Sequence, residues 1–466
     1  MAATLEGTHL TRPNEQSSVP QSPAPARVAV VGCGHVGLVM AAGLAELGHE
    51  VVGIDRNESL VADLCAGAVA IHEPGLPELV RRGLDTSRLT FTTSYAAAIP
   101  QAGFIFLAVD TPATQGGAPD LRNIRSATAS IAAALAVESP IIVNKSTSPI
   151  GTGDTIDGIL RRALADRPHS PRIVSNPEFL RQGKAVHDFF HPERVVIGGA
   201  PDDAHAVADL YAGLGGELIL TDVRTAEMIK YVANAFLATR VSFINEIARL
   251  CESLGIDIDQ VVEGIALDPR IGGHFFNAGI GFGGSCLPKD VAALRYVGET
   301  MGVATPVLSA VQEVNSAQRT SVVRRLRARL GTLDDKVIGV WGVTFKGETE
   351  DARDSPAVEV INLLLNEGAS VRAYDPAFPA SAPPRVRELF SDTALAAVRG
   401  ADALAILTDW PEFRRVPLAE VRAAMRGSVV FDGRNMLSRV EANALGFAYL
   451  GVGRPATGAK RRRTDN

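Results

Sequence analysis

Apolar and polar positions follow one rhythm through the first part of the chain. RVAVVGCGHVGLVMAAGLAELGHEVVGID, residues 27–55, reads as a short apolar strand, a glycine turn, a helix and a second apolar strand. Further apolar runs, FIFLAV and IIVNKS, are separated by alanine-rich helical text, as in βαβ units that feed a parallel sheet. From Asp222 the spacing becomes helical. TAEMIKYVANAFLATRVSFINEIARLCESLGI contains no proline and no glycine until its end. Its apolar residues fall on several faces, which suits a helix that joins or separates domains. Strand-like runs return at KVIGVWGVTF, ASVRAYD, ALAILT and SVVFDG.

The pattern predicts an α/β protein with two Rossmann-like parallel-sheet domains joined by a helical middle that contains a long central helix. The expected divisions are a Pro/Ser-rich leader at 1–26, a first α/β domain at 27–220, a helical region at 221–330, a second α/β domain at 331–450 and a basic tail at 451–466.

Composition narrows the functional classes. A chain of 466 residues exceeds one ordinary core, and 46% hydrophobic with 21% charged residues reads as globular. The net charge of -6 argues against general nucleic-acid binding. No apolar run reaches membrane-spanning length, so no membrane span is expected. Four scattered cysteines, Cys33, Cys65, Cys251 and Cys286, form no CxxC pair and no zinc pattern. Together with the absence of a secretory signal they give a cytoplasmic expectation.

Gly32, Gly34 and Gly37 form GxGxxG directly after a strand, and the next strand ends in Asp55. Glycines permit a tight turn and close approach to a pyrophosphate, the helix N-terminus favours its charge, and the acid suits ribose hydroxyls. A carboxylate at 55 favours NAD over NADP, although Arg56 is placed to accommodate a 2'-phosphate. VDTP (109–112) and KSTSPIGTG (145–153) follow apolar strands, where ligand crevices of open parallel sheets lie. Ordinary helix capping is the alternative for Thr147.

The second unusual stretch is GFGGSCLPKD, 281–290. Its glycines are read as clearing space for a backbone or sugar to approach, beside a thiol flanked by Lys289 and Asp290. Cys33, Cys65 and Cys251 are read as small buried hydrophobes. Lys230 and Asn234, four apart, share one helix face. Lys230 either snorkels to solvent or faces a cleft, and spacing leaves both open. Glu178 lies in a polar turn, where an isolated acid is usually a solvated residue. A nicotinamide site with a nucleophilic cysteine suggests oxidation at the aldehyde level through a thiohemiacetal and thioester.

Taken together, GCGHVG, KSTSPIGTG, NPEFLRQG, EMIKYVANAF with FINEIA, GFGGSCLPKD and FKGETEDARDS closely resemble the UDP-glucose/GDP-mannose dehydrogenase family. The resemblance spans residues 27–435 and leans towards its UDP-glucose 6-dehydrogenases, helped by DFFHPERVVIGG. It implies two NAD-dependent oxidations of UDP-glucose to UDP-glucuronate, a UDP-binding C-terminal domain and a homodimer. Sister enzymes acting on GDP-mannose or UDP-N-acetylmannosamine are the alternative, followed by a non-catalytic nucleotide-sugar binder.

The resemblance also implies roles. Cys286 matches the nucleophile, Lys230 the oxyanion stabiliser with Asn234 as helper, Asp290 a water-activating acid with Thr147, and Glu178 a proton- or water-handling acid. Gly32, Gly34, His35, Val36, Gly37, Asp55, Thr111, Thr147 and Arg353 match cofactor contacts. Glu178, Phe179, Leu180, Lys230, Asn234, Arg270, Phe282, Gly283, Lys346 and Arg434 match substrate contacts, Arg270 often reaching the sugar of a partner subunit. Two positions depart from the pattern: His35, where many relatives have Tyr, and Asn277, where animal members tend to carry Lys. No metal is implied.

Overall fold

The structure is a computed structural model that describes residues 25–112, 114, 117–135, 140–165 and 171–455. The leader before residue 25 and the tail after residue 455 lie outside the described residues.

Eight strands form the first sheet: β1 (Arg27–Val31), β2 (Glu50–Ile54), β3 (Leu89–Thr92), β4 (Phe104–Leu107), β5 (Ile141–Asn144), β6 (Arg172–Ser175), β7 (Arg194–Gly198) and β8 (Glu217–Thr221). Their order is β3-β2-β1-β4-β5-β6-β7-β8, so the chain reverses direction across the sheet between β1 and β4. Pairing is parallel except between β6 and β7, which meet antiparallel at Ser175 and Gly198. The sheet is covered on both faces. Val28 and Val30 join one core, while Ala29 and Val31 join the other with Ile105, Leu107 and Ile142.

The second sheet is β9 (Val337–Trp341), β10 (Ser370–Tyr374), β11 (Ala403–Ile406), β12 (Val429–Asp432) and β13 (Ala448–Gly451), in the order β10-β9-β11-β12-β13. All its pairings are parallel, as the strand rhythm predicts. Its switch point lies between β9 and β11.

Between the sheets runs the 32-residue central helix Val223–Leu254. Asp222 caps its start by accepting from the Thr225 N–H at 2.9 Å, and Gly255 ends it in the left-handed region at φ 72°. Ile244, Ala248 and Cys251 share one core with Val322 and Leu326 of the helix Pro306–Leu330 and with Ile338 and Val340 of β9. The helical middle and the second sheet are therefore packed as one body. Another face of the central helix leaves Met228, Val232, Phe236, Phe243, Leu250 and Leu254 exposed. Among the described residues, no helix is long and apolar enough to cross a membrane.

Candidate active site

The glycine turn after β1 is built from three glycines with different constraints. A Cβ on Gly32, at φ 98°, would meet the Ala108 carbonyl oxygen at 2.5 Å, and one on Gly37 would meet the Gly32 carbonyl oxygen at 1.8 Å. Gly34 differs: a Cβ there would meet nothing within 4 Å. Gly34 opens the helix His35–Glu46 without a side-chain cap, so the first amides of that helix face open space suited to a pyrophosphate. His35 and Val36 are half-buried at the same helix start. Asp55, at the end of β2, accepts from the Cys33 N–H at 2.9 Å and from the Asn57 N–H at 3.0 Å. These residues fit a dinucleotide. The two strand-end loops after β4 and β5 are tied together, because the Thr111 hydroxyl donates to the Thr147 carbonyl.

Cys286 is the residue immediately before the helix Leu287–Thr300. Its side chain is exposed, and the charges of Glu178, Lys230, Asp290 and Lys289 act on it. Lys230, on the central helix, and Glu178, in the turn after β6, form a buried ion pair at 3.0 Å. The Glu178 carboxylate also accepts from the Leu180 N–H at 2.7 Å and from the Thr147 hydroxyl at 3.4 Å. Asp290 is fully buried and accepts from the Asn234 amide and the Lys289 ammonium, both at 2.6 Å. Phe179 lies beneath Lys230, whose ammonium is 5.2 Å from the ring centre. Asn234 thus reaches Asp290, and Thr147 reaches Glu178.

Charges in this cleft are strongly coupled. Burial alone would pull the Lys230 ammonium down, but the charge of Glu178, with Cys286 and Asp290, outweighs it and holds Lys230 above its ordinary value. Burial would raise Glu178, yet Lys230, the Leu180 N–H and Lys145 hold it below the usual carboxylate range. The Cys286 thiol is pushed up by burial and by Glu178 and Asp290, against Lys230 and Lys289. A cationic neighbourhood is therefore not what dominates at the free thiol; it rests protonated, and the charge balance changes only when a negative oxygen forms nearby.

The second sheet supplies the far side of the cleft from its β9 and β11 ends. The Lys346 ammonium donates to the Gln182 carbonyl at 2.6 Å, and the Gln182 amide donates to Asp351 at 3.2 Å, so both contacts cross between the sheets. Arg353 is held by Asp351 at 2.7 Å, and its charge interacts with Asp110 and Cys286. Arg434 is half-buried and donates to the carbonyls of Leu407 at 2.9 Å, Phe345 at 3.2 Å and Gly281 at 3.4 Å. Arg270 stands apart, exposed and paired with Asp268 at 2.6 Å.

Two readings of the sequence are corrected. The glycines of GFGGSC do not clear space for a sugar: a Cβ on Gly281 would meet the Asn315 side chain at 2.4 Å, on Gly283 the Asp354 carbonyl oxygen at 2.3 Å, and on Gly284 the Phe345 ring at 2.8 Å. Protein already fills those positions, and Asn315 further fixes the loop by bonding both the N–H and the carbonyl of Phe282. Cys65 is not buried like Cys33 and Cys251; it is exposed, donating weakly to the Phe91 carbonyl.

Glu73 escaped the sequence reading. Its buried carboxylate accepts from His35 Nε2 at 2.9 Å, the Gly183 N–H at 2.8 Å and the Ala185 N–H at 2.7 Å, joining the glycine turn to the loop that carries Glu178. Its only sequence signal is an acid within the turn-like HEPG, which a solvated residue would share. Among the described residues, no group of three or more His, Cys, Asp or Glu is placed to hold a metal.

Three family models cover most of the chain. The UDP-glucose/GDP-mannose dehydrogenase family matches through its NAD binding domain at 26–214, its central domain at 224–317 and its UDP binding domain at 339–439. The chain belongs to this family. As a UDP-glucose/GDP-mannose dehydrogenase family member it is an NAD-dependent oxidoreductase. It is 43% identical over 433 residues to the UDP-glucose 6-dehydrogenase TuaD of Bacillus subtilis, covering 92% of this chain and 94% of that protein. It is 41% identical over 446 residues to a UDP-glucose 6-dehydrogenase of Pseudomonas aeruginosa, covering 93% and 98%. The solved UDP-glucose dehydrogenase of Pyrobaculum islandicum has a TM-score of 0.85 at 37% identity, covering 94% of this chain and all of that one. A UDP-D-ManNAc dehydrogenase of Pyrococcus horikoshii has a TM-score of 0.82 at 27% identity, covering 92% and 99%.

Proposed function

We propose that this dehydrogenase oxidises UDP-glucose twice at C6, yielding UDP-glucuronate without releasing the aldehyde. The observation that carries the reading is the accessible Cys286 thiol between two buried charged groups, Lys230–Glu178 and Asn234–Asp290–Lys289. The higher identity to UDP-glucose enzymes than to the UDP-D-ManNAc enzyme supports the choice of sugar. The first α/β domain, 27–220, takes the cofactor and the second, 331–450, the UDP, with the helical region 221–330 between them.

When bound, NAD supplies the hydride acceptor, one NAD being consumed in each of the two oxidations. Lys230 places a fixed ammonium beside the C6 oxygen, where negative charge develops in a site shielded from water. At the aldehyde level, Cys286 Sγ forms a bond to C6 and its proton passes to the carbonyl oxygen, giving a thiohemiacetal. Oxidation at that carbon leaves a thioester. Water, held by Thr147 with Glu178 or by Asp290, then breaks the C–S bond, returning the thiol and releasing the carboxylate.

A substrate panel tests the reading: UDP-glucose, GDP-mannose and UDP-N-acetylmannosamine, each with NAD or NADP. UDP-glucose with NAD is expected to yield two NADH per sugar and the acid. One NADH per sugar, or a preference for another sugar nucleotide, overturns it.

The exposed stripe on the central helix supports a homodimer, with Arg270 offered to the partner's cleft. Charged substitution of Phe236 and Phe243, as the double variant Phe236→Asp/Phe243→Asp, is expected to convert a dimer into a folded monomer in light scattering after size exclusion. A wild-type monomer refutes this assembly.

A further inference from the structure

One buried ammonium near the cleft has no part in the steps above. Lys145 begins the KSTSPIGTG loop directly after β5 and is 8% exposed. Its Nζ donates to Asn176 Oδ1 at 3.0 Å and to the Tyr211 hydroxyl at 3.4 Å. The Tyr211 hydroxyl donates to the same Asn176 oxygen at 2.6 Å, and the Asn176 amide donates to the Val196 carbonyl at 2.8 Å. These partners are uncharged. A lysine held only by uncharged groups in a dry interior costs stability, because no contacting counter-charge offsets its desolvation.

The charged groups around it show what its charge acts on. Glu178, in the turn after β6, attracts it, and Lys230, on the central helix, repels it; Tyr211, after the helix Pro201–Asp209, faces it as a phenol. Glu178 is already paired with Lys230. Lys145 and Lys230 against Glu178 leave one positive charge over in this cluster, while Lys289–Asp290 and Arg353–Asp351 each cancel within their own pair and the thiol is neutral. Without Lys145 the group would be neutral, and the field of Lys230 at the reacting oxygen would be offset by Glu178.

We propose that Lys145 is a positioning residue whose charge leaves the Lys145–Glu178–Lys230 cluster net positive, so that the cluster balances the negative sulfur or oxygen formed beside it during turnover. The inference rests on the two-step reading for the identity of that sulfur and oxygen. Burial pulls Lys145 down to about 8, with Glu178 opposing and Lys230 reinforcing. Lysine is charged below that value and neutral above it, so kcat is expected to fall as pH rises through about 8.

The test compares wild type, Lys145→Met and Tyr211→Phe, each checked for folding by its melting curve and for NAD binding by fluorescence. In Lys145→Met the alkaline fall disappears, and kcat at pH 7 drops about tenfold, the equivalent of one pKa unit. Alkylation of Cys286 by iodoacetamide, read on its own peptide because Cys65 is also exposed, slows about tenfold at pH 7. Tyr211→Phe removes a hydrogen bond but no charge, so its alkaline fall moves to lower pH with kcat retained at pH 6.5. Unchanged pH profiles and alkylation rates in both variants overturn the proposal. The alkylation arm needs no substrate, so failure of wild type to oxidise UDP-glucose sinks the two-step reading while Lys145 is still decided.

Discussion

Replacing Cys286 with serine is expected to abolish acid production, lowering the two-NADH turnover by about 10³-fold or more. Affinities for NAD and UDP-glucose should stay within about twofold, since removing a nucleophile leaves binding groups in place. The reason is chemical rather than steric. Serine occupies the same position before the helix Leu287–Thr300, but its hydroxyl is a far weaker acid and nucleophile than a thiol. The first oxidation, from alcohol to aldehyde, needs no sulfur, so the variant should stall at the aldehyde level. Quenched-flow mass spectrometry checks this directly, through loss of the cysteine-linked adduct and retention of aldehyde. Full acid production with two NADH per sugar would sink the thioester mechanism.

Lys230→Met carries the second large effect, with separate consequences for rate and stability. Loss of a charge aimed at a developing oxyanion typically costs about 10²–10³ in kcat, and KM for UDP-glucose should move little. Stability responds through Glu178. In the wild-type protein that carboxyl is held below its ordinary range, so its contribution is present at neutral pH and is lost only as pH falls through the folded value. Without Lys230, only the Leu180 N–H and Lys145 are left to oppose burial, so the folded carboxyl is expected to move above the unfolded one. Its contribution then has the opposite sign and is lost as pH rises. The variant should accordingly be about 3–5 kcal/mol less stable than wild type at pH 8, with a smaller deficit at pH 5. Thermal or urea unfolding at both values measures it. Lys230→Met/Glu178→Gln should recover stability but not activity; equal deficits at the two pH values would rule out the unpaired carboxylate as the cause.

Much of the architecture was legible because it is local. Each strand–turn–helix unit announces itself by a change of period, and the chain from Asp222 to Gly255 shows a helix with both end signals. The glycine turn could be placed after β1, and the loops after β4 and β5 at strand ends, from the same reasoning. What escaped depends on partners distant in sequence. Nothing local shows that β6 and β7 meet antiparallel, or that Glu73 reaches residues 110 and 112 positions away. Lys145 reads as one polar residue at a strand end until Tyr211, 66 positions later, is seen to close over it. The net effect on Cys286 was similarly hidden, because neighbours in sequence suggested a cation while the fold also brought in Glu178.

The packing of Gly281, Gly283 and Gly284 has a consequence for redesign. Each is hemmed in by a different element: Asn315 from the helix Pro306–Leu330, Asp354 from the turn before the helix Pro356–Asn366, and Phe345 from the segment after β9. The loop is therefore a keystone between three separate elements of the molecule, and its glycines record the fit of protein to protein. Broadening the sugar range by editing this loop would disturb three joints at once. Two of those joints, at Phe345 and Asp354, lie in the part of the chain that forms the far wall of the cleft, so a change in the loop is also a change in the seating of that wall.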